Sequence, residues 1–414
     1  MKIEPYTIGM GDRFSHEGKA QLSAVAQAKA AGIAVNPVWN KSHREHTIIG
    51  TKPDDVRVEA DEAVKALNWT GAYYVDADHI GLKTVDSFLA GSNFFTLDVA
   101  DFSGQPATDE EIAGFVERHA TLTGALQIPW IEEKVEVSKE QLTEIAKKFL
   151  LAILEAGKIY RHVEEKKGKG NFVVEVSVDE TDLPQNPVDL LVILAMIAEQ
   201  GIPAQTIAPK FTGRFNKGVD YVGDAAQFEK EFDQDLAVIA YAVKEFGLPE
   251  TLKLSVHSGS DKFSIYPIIN KLVKKHKAGL HVKTAGTTWL EEVIGLAEAG
   301  GEGLAIAKEI YKLALPRFEE LVKPYAPVVD IDQAKLPTVA EVEGWNSAAY
   351  VAALRHDASH AAYNLHFRQF IHVSFRIAAE LGERYTDALK ANAEIIARNV
   401  THNLLERHIK PIFQ

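Results

Sequence analysis

Eight short apolar runs, separated by helical patterns, constrain this chain more than any other feature. They are YTIGMGDRF (6–14), IAVNPVWN (33–40), YYVDADHI (73–80), FFTLDVADF (94–102), NFVVEVSVDE (171–180), AQTIAPKF (204–211), TLKLSVHS (251–258) and GLHVKTAG (279–286). Helical stretches such as 16–31, 56–68, 224–246 and 265–275 lie between them. Strands alternating with helices at this spacing build a parallel sheet covered by helices. Eight such units predict an α/β fold, a closed eight-stranded parallel β/α barrel of the TIM type, which takes about 250 residues before insertions. The alternative is an open, doubly wound sheet. Its nucleotide-binding form is disfavoured, because no strand is followed by G-x-G-x-x-G or G-x-x-x-x-G-K-[ST].

The 414 residues exceed a minimal barrel in two places. Helical patterns at 109–123 and 138–156, then the charged turn EEKKGKGN, predict a helical insertion at about 103–170. After residue 316 the chain reads as helical to Gln414, with breaks at Pro316, Pro324, Pro327 and Pro337. The apolar faces of AAYVAAL, FIHVSFRIAAEL and NAEIIARNV require burial. Residues 1–316 are therefore read as the catalytic barrel, and 317–414 as a helical C-terminal extension packed on it.

Side chains alternate along a strand, so each barrel strand shows one face to the helices and one to the interior. Leu252, Leu254 and Val256 oppose Lys253, Ser255 and His257; Leu280 and Val282 oppose His281 and Lys283. Val174, Val176 and Val178 oppose Glu175, Ser177 and Asp179, and Val75 and Ala77 oppose Tyr74, Asp76 and Asp78. Phe95, Leu97 and Val99 oppose Thr96 and Asp98, and Lys210 faces away from Ile207 and Pro209. Burying so many ionisable groups without partners is costly. A polar interior that holds a cation resolves the problem, and barrel active sites sit at the C-terminal strand ends.

The chain has no cysteine, so a transition-metal site must use His, Asp or Glu. His79, His257 and His281 stand at strand ends, with Asp78 and Glu175 beside them. They are the candidate residues, since histidine with carboxylate is the expected ligand set for a divalent ion such as zinc, manganese, nickel or iron. Asp78 and His79 are neighbours, so both reach the site only if the strand is already ending there. His356 and His360 share a helical face but imply no third ligand, and are read as packing or surface histidines. Lys210, Lys262, Lys283, Arg13 and Arg214 follow strands and are suited to an anionic substrate. In the turn after His257, Ser258, Gly259 and Ser260 are expected to let the backbone approach a substrate, with Asp261 and Lys262 contacting it. A net charge of −13 argues against nucleic acid or an anionic membrane as partner. The N-terminus lacks an apolar signal core and no run reaches membrane-span length, so a cytoplasmic location is expected. No G-x-S-x-G elbow marks a serine hydrolase.

The segments GMGDRFS (9–15), VDADHIG (75–81), APKFTGRFNKGVDYVGD (208–224), LSVHSGSDKFSIYPII (254–269) and HVKTAGTTWLEEV (281–293) resemble the tagaturonate epimerase family, whose members include tagatose 4-epimerases. The resemblance continues into the tail at LGERY and NLLERHIKPIF. It implies a metal-dependent barrel that inverts one hydroxyl-bearing carbon of tagaturonate or fructuronate, with a sugar or sugar acid as its small-molecule partner and room for a homo-oligomer. VDADHIG and VHSGSD are also similar to elements of class II aldolases. That likeness implies His79 and His257 as ligands and Asp78 as acid/base; His281 and Glu175 rest on strand parity instead. Carbon 4 of a 2-ketose carries no acidic hydrogen, so retro-aldol cleavage between carbons 3 and 4 is the expected route. Competing expectations are a sugar aldolase that releases its products and a non-catalytic sugar-acid binding barrel.

Overall fold

The computed structural model describes residues 1–179, 181 and 184–414. The fifth expected strand was read to Glu180, which lies outside the described residues. All eight strands form: β1 (Tyr6–Met10), β2 (Asn36–Ser42), β3 (Tyr74–Ile80), β4 (Phe94–Asp98), β5 (Val173–Ser177), β6 (Thr206–Ala208), β7 (Lys253–Val256) and β8 (Leu280–Val282). They close in the order β1-β8-β7-β6-β5-β4-β3-β2, every pair parallel. The fold is a TIM-type α/β barrel with a large helical C-terminal region. Each strand is shorter than its apolar run, and in all but β2 and β3 the run continues into the loop at the mouth.

Outward residues pack beneath the surrounding helices in one core with Leu97, Val176, Leu254 and Val282. A separate cluster of Ile3, Val38, Tyr74, Phe94 and Val173 plugs the barrel axis. Tyr74, Phe94 and Val173 stand at the starts of their strands with inward parity, and with Val38 of β2 and Ile3 ahead of β1 they form an apolar floor below the polar interior. Between β4 and β5 lie helix Asp109–Arg118, the antiparallel pair Gly124–Leu126 and Val135–Val137, and the 29-residue helix Lys139–Lys167. That long helix covers helix Pro187–Glu199, whose PVDLLVILAMIAE is apolar all round because both faces are buried.

The tail joins the same core through Phe367, Phe370, Ile396 and Leu404, and Trp289 Nε1 donates to the Ile371 carbonyl at 2.9 Å. Among the described residues no helix is long and apolar enough to cross a membrane.

Candidate active site

The ends of β3, β5 and β7 bring three side chains together above the barrel interior. One ligand atom each from His79, Asp179 and His257 lies within 4.8 Å of the others. His257 Nδ1 is 3.2 Å from Asp179 Oδ2, and His79 Nε2 is 3.8 Å from Asp179 Oδ1. The two imidazoles meet edge to face, with ring centres 5.1 Å apart.

The neighbouring-residue difficulty at Asp78 and His79 is resolved by a bulge. From Ala77 to Ile80 β3 advances three residues while β4 advances only from Phe95 to Leu97. His79 takes up the extra residue with a left-handed backbone, φ 54°. Ser258, Asp261 and Thr284 are left-handed too (φ 48°, 63° and 55°), so non-glycine strain gathers at this rim.

Both rings are tied back by carboxylates. His79 Nδ1 donates to Asp78 Oδ1 at 2.6 Å, and His257 Nε2 donates to Glu175 Oε1 at 2.8 Å. An ionised carboxylate only accepts, which fixes the proton on those nitrogens. The remaining nitrogens, His79 Nε2 and His257 Nδ1, are buried without a hydrogen-bond partner among the described residues. Each faces Asp179, so positive charge, carried by a ring proton or by a bound cation, belongs between them. Ligands about 2.1 Å from one ion lie roughly 3–4 Å apart, so this donor set fits a divalent metal. Burial lowers the pKa of both rings, but Asp78 and then Asp179 outweigh it at His79, and Asp179 and then Glu175 at His257, so both are raised. The cage favours positive charge.

Below it lies an ion network. Lys283, buried, reaches Asp76 Oδ2 and Asp78 Oδ1 at 2.9 Å and Glu175 Oε1 at 3.2 Å, and donates to Thr96. Burial lowers its pKa, yet Asp76, Asp78 and Glu175 hold it well above the ordinary lysine value. Burial pushes Asp76 up to about 6 against the pull of Lys283. Three carboxylates (Asp76, Asp78 and Glu175) face this single lysine and Asp179 stands at the two imidazoles, an acid-rich array that suits a cation. Asp78 Oδ2 has one bond, from Asn40 Nδ2 at 3.2 Å.

Other expected residues are placed differently. His281 points inward but one layer lower: it pairs with Ser255, two residues before His257, and its Nδ1 bonds Thr7 Oγ1 at 2.9 Å. Burial pushes it down to about 3, so it is neutral. Glu175 is fully buried, and Thr96, Lys283 and His257 share its Oε1, so it orients His257 rather than opening to a substrate. Asp261 is also fully buried. Its oxygens accept from Arg368 Nη2 at 2.6 Å and His356 Nδ1 at 3.1 Å, and its amide donates to His408 Nε2 at 3.1 Å, so it anchors the tail instead of contacting substrate. Gly259 serves packing: a Cβ there would lie 2.6 Å from Val282 Cγ1. Ser258 stays on the rim, half-buried, and Lys210 donates to the Thr181 carbonyl. Arg13 lies at the mouth, 3.2 Å from Glu45. Asp179 is absent from the expected donor set, although the alternation through Glu175 and Ser177 already turns it inward.

A family model described as tagaturonate epimerase matches residues 1–410. The chain is 29% identical over 418 residues to the tagaturonate/fructuronate epimerase of Thermotoga maritima, spanning 97% of this chain and 80% of that protein. Its fold superposes on the glycerol-bound crystal structure of fructuronate-tagaturonate epimerase UxaE from Cohnella laeviribosi with a TM-score of 0.81 at 23% identity, covering 100% of this chain and 82% of that one. The native form of the same protein gives 0.79 at the same identity and coverage. The barrel belongs to the tagaturonate epimerase family, and the chain is a carbohydrate epimerase.

Proposed function

We propose that this chain is a divalent-metal-dependent epimerase that inverts carbon 4 of a 2-keto hexuronate, interconverting tagaturonate and fructuronate, with tagatose and fructose as neutral counterparts. One observation carries the reading. Two imidazoles, each tied back by a carboxylate, present buried and unpartnered nitrogens to Asp179 at the mouth of an acid-rich barrel. His79, Asp179 and His257 hold the ion, with Asp179 in the place expected of His281. Zinc, manganese and nickel all accept such donors. The family match and the Thermotoga relative support the substrate.

The chemistry follows from the ketose. The hydrogen on carbon 3 is acidic and that on carbon 4 is not, so retro-aldol cleavage is the economical route. The 4-hydroxyl proton goes to a base, its bonding pair forms the aldehyde, and the C3–C4 pair moves into the enolate. The aldehyde turns, carbon 3 re-adds to its other face, and the new alkoxide takes a proton back. A divalent cation, when bound, supplies Lewis acidity toward the carbonyl oxygen. Asp78 carries the proton through Oδ2, while His79 and Lys283 fix Oδ1. Glu175 keeps His257 Nε2 protonated and so directs Nδ1 at Asp179. Lys283 holds Asp76, Asp78 and Glu175 in one array and positions them, rather than binding substrate.

The test is conversion of tagaturonate by metal-loaded protein in deuterated water, followed by NMR. Carbon 4 inverts and keeps its original hydrogen. Deuterium at carbon 4 overturns the mechanism, and no conversion of any of the four sugars overturns the function.

A further inference from the structure

The loop that follows β6 is clamped from three sides. Lys262 Nζ donates to the carbonyls of Asn216 (2.8 Å), Val219 (2.7 Å) and Ser260 (2.7 Å). Arg368 Nε donates to the Gly218 carbonyl at 2.5 Å, and Lys217 N donates to the Val328 carbonyl at 2.8 Å. The backbone around Lys217 is thus fixed, yet its ammonium has no hydrogen bond or ion pair among the described residues. A half-buried cation without a partner is costly. Burial lowers the Lys217 pKa and Glu45 raises it, while Arg13 and Arg44 lower it further.

Its neighbours come from both ends of the chain. A Cβ on Gly218 would lie 3.5 Å from His372 Nδ1, an atom that is buried and unpartnered. His372 Nε2 is 3.4 Å from Arg13 Nη2. The Arg13 guanidinium rests on the Phe375 ring at 4.3 Å, and Lys41 Nζ fixes the loop by donating to the Arg13 carbonyl at 3.0 Å. Glu45, the counter-charge of Arg13, is capped by Ser42, which pairs with Asp78 across β2 and β3. Lys217 stands in the field of Arg13, Arg44, Glu45 and the proposed proton carrier Asp78. Three cations and an imidazole stand against two carboxylates there, leaving a positive excess beside an otherwise acidic interior.

We propose that Arg13, Lys217 and His372 form a carboxylate subsite that selects acidic sugars over neutral ones. The assignment rests on the epimerase reading for its substrate. The acidic interior holds the metal and repels anions, so an acid substrate needs a separate cationic anchor. A fixed, unpaired lysine beside an aromatic-backed guanidinium provides it.

The test separates binding from turnover. Metal-loaded full-length protein and the Lys217→Met variant are titrated calorimetrically with galactonate and with galactitol, a hexonate and its neutral hexitol. The wild type prefers galactonate, and K217M lowers that preference about 10–100-fold, the worth of losing a charge-assisted contact. Lys217→Arg restores most of it. Arg13→Gln lowers the same preference, which guards against misfolding of K217M. A wild type without preference, or a K217M preference unchanged within about twofold, overturns the subsite. Failure of the epimerase reading has a different signature: a wild type that binds galactonate selectively but converts none of the sugars.

Discussion

At the scale of single residues, parity and height are separate pieces of information. Alternation placed His257, His281, Glu175 and Asp179 on the inward face, and the structure agrees for each. It did not say how far up the barrel each one sits. That depends on register between strands distant in sequence, and register sets His281 beside Thr7 and Ser255, below the cage. The prediction is specific. His79→Ala, Asp179→Asn and His257→Ala each lower metal content, whereas His281→Gln retains it, as read by elemental analysis of purified protein. Glu175→Ala removes the acceptor that holds His257 and weakens metal affinity about 10–100-fold, measured by competition with a chromophoric chelator.

At the scale of elements, helix Gly18–Ala30 shows how the mouth is kept rigid. Asp12 accepts from the amides of Phe14, Ser15 and His16 at 2.9 Å and of Glu17 at 2.5 Å. Asp12→Ala is expected to lower stability by about 1–2 kcal/mol, seen in chemical denaturation. The same region buries acids. Burial and then Asp12 push Glu17 up to about 8, and burial with Asp12 raises Glu59 well above the carboxylate range. The sign follows from linkage. Between the ordinary glutamate value near 4.5 and about 8, the folded state keeps a proton on Glu17 that the unfolded chain has lost. Stability therefore falls as pH rises through that window. Glu17→Gln removes roughly 1.4 kcal/mol per pH unit of that slope, measured by denaturant midpoints at stepped pH. None of this was legible beforehand, because GMGDRFS carries no trace of Glu59, which reaches the cluster from another helix.

At the scale of the whole molecule, the tail is part of the mouth. Arg368 is fully buried and joins three barrel loops, through the Gly218 carbonyl, Asp261 (2.6 Å) and Thr287 Oγ1 (3.1 Å). Arg368→Met leaves Asp261 buried without its strongest partner and is expected to cost about 3–5 kcal/mol of unfolding free energy, read in urea titrations. The eight strands and the helical tail were legible because apolar periodicity is local. The bond from Arg368 to Asp261 spans 107 positions and left no local signal.

His372 and Phe375, which frame Arg13, give the site an order of assembly in time. Translation delivers His79, Asp179 and His257 well before it delivers the tail. At roughly 5–20 residues per second, the gap from β8 to His372 is on the order of ten seconds. A nascent barrel therefore carries the proposed metal donors while the proposed sugar-selecting rim is still unmade. On that proposal, ion capture and substrate choice are successive events in the life of each newly made chain.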